Sequence, residues 1–125
     1  MNAIVWSERT ATDVPPPGFW DRLSKRLEDR VEKAYVFGSH ATGDFRPGSD
    51  VDLILVVQTD LPFVERPRLF HDLFELFPRL DVLVYRPDEL AAQLERPAGF
   101  WKSVSESMRE IPTRSRGRPE SSRHA

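Results

Sequence analysis

The run DVDLILVV at residues 50–57 constrains the fold more than any other stretch of this chain. Its apolar, β-branched interior predicts a buried strand. A buried strand needs neighbours in a sheet and a layer packed over it. Its N-terminal mouth, however, holds two acids, Asp50 and Asp52, directly after the turn-rich stretch GSHATGDFRPGS. A carboxylate beside a core is costly to desolvate, so such a pair meets water, a cation or a basic partner.

The flanking sequence supplies the neighbours. After the stiff VPPPG punctuation, the segment FWDRLSKRLEDRVEKA places Trp20, Leu23, Leu27, Val31 and Ala34 at helical spacing, with charges opposite. AYVF at 34–37 reads as a short strand stopped by Gly38, and residues 39–49, broken by Gly43, Pro47 and Gly48, as a turn and loop with at most one helical turn. Pro67 suits a first helical turn. Leu69, Phe70, Leu73, Phe74 and Phe77 then predict about three turns of helix ending before Pro78. RLDVLVY at 79–85 is a third strand. RPDELAAQLER, with Pro87 and Asp88 as start signals, is a helix, and FWKSVSESMREI at 100–111 is a last one. Strands alternating with helices predict an α/β (α+β) domain, a small mixed sheet with flanking helices. The expected organisation is an N-terminal extension over 1–18, a single domain over 19–112, and a basic, disordered tail over 113–125.

Composition excludes several chemistries. The 125 residues contain no cysteine, which removes disulfides, thiolate nucleophiles and cysteine-ligated zinc. Net charge is −2, and residues 113–125 hold four arginines and one glutamate, leaving −5 on the rest. That balance does not suit direct nucleic-acid binding. No apolar run approaches the roughly 20 residues of a membrane span, and no secretory signal is visible, so the expectation is a soluble, cytoplasmic protein.

Three carboxylates and a turn remain as candidate chemistry. Alternation along a strand puts Asp50 and Asp52 on one side and Val51, Leu53 and Leu55 on the other. Like charges so close raise each other's pKa unless a cation intervenes, and Mg²⁺ takes one or two carboxylates while accepting substrate phosphates for the rest. The plainer alternative is a strand end capped at the solvent edge. Gly38 lets backbone amides approach a phosphate closely, and Ser39 adds a hydroxyl donor. No Gly-Lys-Ser/Thr follows, so this is not a Walker loop. Asp81, at the start of DVLVY, would complete a three-carboxylate cluster if its strand lies beside 50–57. His40 and Arg46 read as exposed loop residues. The strings Arg66/His71 (R-x4-H) and Arg118/His124 (R-x5-H) resemble a ribonuclease motif, but such strings arise easily in this composition and the surrounding pattern does not suit one.

GSHATGDFRPGSDVD, with its flanks YVFGS, GSDVDLILV and LDVLVY, resembles the signature of the DNA polymerase β-like nucleotidyltransferase superfamily. The flanks resemble its minimal nucleotidyltransferases, short proteins often paired with helical HEPN toxins. The resemblance spans roughly residues 20–111 and implies specific roles. Gly38 and Ser39 would hold the β- and γ-phosphates of ATP or another NTP. Asp50 and Asp52 would bind two Mg²⁺ ions, and Asp81 would join the first ion and help deprotonate the attacking hydroxyl. Little chain follows the third carboxylate, so the acceptor is expected on a partner protein or within an oligomer. The implied role is an AMP-transferring antitoxin acting on a HEPN-type toxin. The alternatives are a catalytically inactive module that neutralises a toxin by contact, and an antibiotic nucleotidyltransferase.

Overall fold

A computed structural model describes residues 13–113. The expected extension and tail therefore fall largely outside the described residues, as do Arg118 and His124. Four strands form one mixed sheet: β1 (Lys33–Phe37), β2 (Val51–Val56), β3 (Leu80–Tyr85) and β4 (Arg109–Glu110), in the order β3-β2-β1-β4. β1 runs antiparallel to both β2 and β4, whereas β2 and β3 are parallel. A parallel pair requires a crossover of a dozen or more residues, and residues 57–79 provide it. The expected fold class is the one observed.

Each side of the sheet carries its own core. Ala34, Val36, Val51, Leu53, Leu55, Val82 and Val84 face one way, under helix α1 (Phe19–Leu27) and the crossover. Phe37, Ile54 and Val56 face the other way, under α3 (Pro87–Glu95) and α4 (Phe100–Ser107). β2 is thus buried on both faces, as its unbroken apolar run demands. The larger core is anchored by Phe19, Leu23 and Leu27, all fully buried. Full burial of such a side chain is worth about 2 kcal/mol.

Several elements differ from expectation. α1 stops at Leu27, because Asp29 turns left-handed (φ 65°) and the Arg30 amide closes a turn on the Leu27 carbonyl. Arg30 then clasps Asp72 of the crossover through both guanidinium nitrogens, at 2.8 and 3.0 Å. Val31 and Ala34 are buried all the same, but as the approach to β1 and its first inward residue. Trp20 lies at the surface, its edge on Phe19.

The crossover is a 3₁₀ segment, Phe63–Glu75, kinked at Phe70 (φ −123°). Pro67 sits inside it and withdraws an amide. A three-residue turn stacks i on i+3, as Phe70 and Leu73 stand, while the four-residue step from Arg66 to Phe70 ends at the kink. Arg66, Phe70 and Leu73 are the buried residues there, while Leu69, expected inside, is 45% exposed. The last helix ends at Ser107, and Met108 leads into β4, a strand that sequence reading folded into the helix.

Candidate active site

The connection from β1 to β2 begins at Gly38, whose backbone (φ 77°, ψ −153°) lies where only glycine sits comfortably. A Cβ here would stand 2.7 Å from Oδ2 of Asp52, so glycine is required twice over. The chain then makes one helical turn, α2 (Ser39–Thr42), closed by the Ala41 and Thr42 amides donating to the Gly38 carbonyl at 3.0 and 3.2 Å. The Gly38 amide donates to the Ser107 hydroxyl of α4 at 3.0 Å.

The loop between α2 and β2 is fastened from within. His40 is half-buried, stacks on Phe45 with ring centres 4.3 Å apart, and its Nε2 lies 3.3 Å from the Ser49 carbonyl oxygen. Burial lowers its pKa, against the contrary pull of that hydrogen bond and of Asp50. The expectation of an exposed loop histidine is therefore corrected: His40 clamps the loop. Ser49 closes the last turn, its Oγ accepting from the Arg46 amide at 3.1 Å. Arg79 holds the same loop from below: its Nε and Nη2 donate to the Gly48 carbonyl at 3.0 and 2.6 Å, and its own carbonyl accepts from the Val51 amide.

These constraints deliver the carboxylates. Asp52 and Asp81 are register partners on parallel strands, and Asp52 also pairs with Phe37 across the antiparallel side. Their inward neighbours, Val51 and Leu53 on β2 and Leu80 and Val82 on β3, face the larger core. By alternation both acids stand on the opposite face, beside one another. Asp50 lies one residue ahead of β2, exposed, with Oδ1 3.8 Å from Arg79 Nε, a distance at which an exposed pair is weak. Desolvation raises the Asp52 pKa to about 6, and the charges of Asp81 and then Asp50 push the same way. Among the described residues, no donor reaches the Asp52 carboxylate. Nor are three acidic or histidine side chains gathered there closely enough to hold a metal ready-made. Asp52 and Asp81 form the adjacent pair, and Asp50 stands near it, in a weak ion pair with Arg79. Ser39 is half-buried as the first residue of α2.

Arg66 belongs elsewhere. It is 3% exposed and grips Glu89 through both guanidinium nitrogens at 2.6 and 3.2 Å, so it serves the fold. His71 is exposed beside Phe74. Sequence reasoning missed Arg79 and Ser107. Nothing in RLDVLVY marks an arginine that reaches back to Gly48, and no pattern sets Ser107 apart from its serine neighbours.

Residues 17–102 match the family described as "Nucleotidyltransferase domain". The chain belongs to that nucleotidyltransferase family. The matched span contains β1, β2 and β3 with Gly38, Ser39, Asp50, Asp52 and Asp81, and stops short of Ser107 and β4. Over 46 residues the chain is 35% identical to a protein of Methanocaldococcus jannaschii named as a putative protein adenylyltransferase. That stretch is 37% of this chain and 46% of the relative, so the chain spans about half the length of the relative it matches. A crystal structure of a putative nucleotidyltransferase from Sulfolobus solfataricus is similar at 26% identity over 47% of this chain and 53% of its own, with a TM-score of 0.40. No helix among the described residues is long and apolar enough to cross a membrane.

Proposed function

We propose that this nucleotidyltransferase moves AMP from ATP onto a hydroxyl of a partner protein, with Mg²⁺, and that the partner is a HEPN-type toxin which the modification silences. The observation that supports this best is the Asp52–Asp81 rung: two carboxylates side by side on one sheet face, one of them lifted to a pKa of about 6, next to a glycine turn where an added Cβ would meet Asp52. The protein acceptor is favoured by the name of the M. jannaschii relative. The toxin partner rests on the likeness of the Gly-Ser…Asp-x-Asp pattern to minimal nucleotidyltransferases.

The donor set suits a hard divalent cation. Asp52 and Asp81 repel each other, Asp50 stands near them with a weak pair to Arg79, and among the described residues no donor meets Asp52, so negative charge gathers there. Asp52 and Asp81, with Asp50 beside them, are the residues that would hold Mg²⁺. Once bound, the ion neutralises triphosphate charge and eases departure of pyrophosphate. The chain's own groups do the rest. Gly38, with no side chain, lets the triphosphate approach the backbone, and the Ser39 hydroxyl donates to a phosphate oxygen. Asp81, the more exposed of the adjacent pair, takes the proton of the attacking hydroxyl. The new bond joins that oxygen to the α-phosphorus, and the bond from the α-phosphorus to the β-phosphate bridging oxygen breaks.

Incubation with α-labelled ATP, Mg²⁺ and the product of the neighbouring reading frame tests this reading. Label should appear on the partner and vanish in Asp52→Asn and Asp81→Asn. If the doubly substituted Asp50→Ala/Asp52→Ala protein still protects cells from the partner in full, neutralisation is by contact and the transfer reading fails.

A further inference from the structure

Carrying the β1–β4 register on from Val36↔Arg109 through Phe37 and Met108 brings Gly38 opposite Ser107. The ladder does not continue there, because Ser107 is the last residue of α4 and its carbonyl belongs to a helix end. Instead the Ser107 hydroxyl substitutes for a strand carbonyl. Its Oγ accepts the Gly38 amide at 3.0 Å and donates to the Ser103 carbonyl at 3.1 Å. The hydroxyl's one proton goes to the helix and one of its two lone pairs to the turn. Ser107 thus joins α4 to Gly38, where an added Cβ would stand 2.7 Å from Oδ2 of Asp52.

We infer that Ser107 is a positioning residue for nucleotide binding. By taking the Gly38 amide it holds the Gly38-Ser39 turn in its left-handed geometry, so that Ser39 and the neighbouring backbone meet the triphosphate without first being ordered. The inference rests on the nucleotide-binding reading above and extends it to a residue beyond the matched family span. An aliphatic side chain at 107 would leave the Gly38 amide without this acceptor and the turn free to relax away from Asp52. The effect belongs to nucleotide affinity more than to turnover, because Ser107 touches neither the carboxylates nor the reacting atoms.

Calorimetric titration of the full chain with ATP and Mg²⁺, together with ¹H–¹⁵N spectra, tests this. Ser107→Ala should weaken ATP binding about five-fold, the size of one net hydrogen bond, move the Gly38 amide resonance and leave kcat within about two-fold. Ser107→Thr, which keeps the hydroxyl, should restore both affinity and resonance. Equal or tighter binding by Ser107→Ala would mean that the hydroxyl merely competes with phosphate, and would overturn the inference; so would weakened binding that Ser107→Thr does not restore. Absence of ATP binding by the unsubstituted protein would instead refute the nucleotidyltransferase reading itself, and this inference with it.

Discussion

Asp52 is the residue at which folding and chemistry pull against each other. Its carboxyl titrates near pH 6 in the folded chain, above the ordinary value of 3.8. The native state therefore binds more protons than the unfolded chain between those two values, and stability falls as pH rises through that window. Asp52→Asn removes the penalty. It should raise the thermal midpoint at pH 7.5 and leave it unchanged near pH 3.5, as followed by circular dichroism across a pH series. A difference of about two pH units corresponds to roughly 3 kcal/mol at full strength, and screening at a half-open site reduces this to about 1 kcal/mol. Millimolar Mg²⁺ should stabilise the unsubstituted protein and not the Asn variant. Gly38 gives the complementary case. Gly38→Ala meets both a forbidden backbone region and the Asp52 oxygen, so it should cost about 2 kcal/mol or more in denaturant unfolding. Nucleotide affinity should fall at the same time, because the turn cannot stay where it is.

The elements show which features a sequence displays and which it conceals. β1, β2 and β3 were readable to within a residue or so, because apolar β-branched runs bounded by Gly, Pro and Asp admit few alternatives. α3 was readable from Pro87 and the acids behind it. The crossover departs from the expected helix although its apolar residues at 69, 70, 73, 74 and 77 fit a period of 3.6 and not one of 3.0. The choice was made by Pro67 and by Arg66, whose guanidinium must enter the interior to meet Glu89. Arg66 also donates to the Leu61 and Val84 carbonyls at 2.8 and 3.3 Å, tying the loop, the crossover, β3 and α3 together. Glu89 is held at a pKa of about 2, first by Arg66 and then by the Arg86 amide it accepts at the start of α3. Glu89→Ala leaves the arginine buried without its partner, and should destabilise the fold by about 3 kcal/mol in urea titration. With Glu89 present, this pair's contribution persists at neutral pH and is lost only as pH falls from the usual glutamate range towards 2. β4 was hidden because two residues make no pattern; it exists because β1 offers an open edge.

Across the molecule, the candidate site was readable in its parts and not in its assembly. Gly38, Ser39, Asp50 and Asp52 lie within fifteen consecutive residues, so a spacing motif captures them. Asp81 joins them only through strand order, which depends on how the two cores are divided between the faces. Arg79 and Ser107 reach the site through contacts spanning 31 and 69 residues, and no local pattern encodes these. The division of cores also explains the architecture of the site end. α1 and the crossover cover one face, α3 and α4 the other, and the acids stand at the margin of the second, thinner layer. A second molecule can approach them there without disturbing the main interior.

The pairing of β2 with β3 has a consequence for errors of assembly. Were β3 displaced by a single residue, Asp81 would rotate into the oily interior while Leu80 or Val82 emerged into water. Such a slip is prohibitively unfavourable, so hydrocarbon packing proofreads where the charge ends up. A chain that folds at all has already aligned its acids.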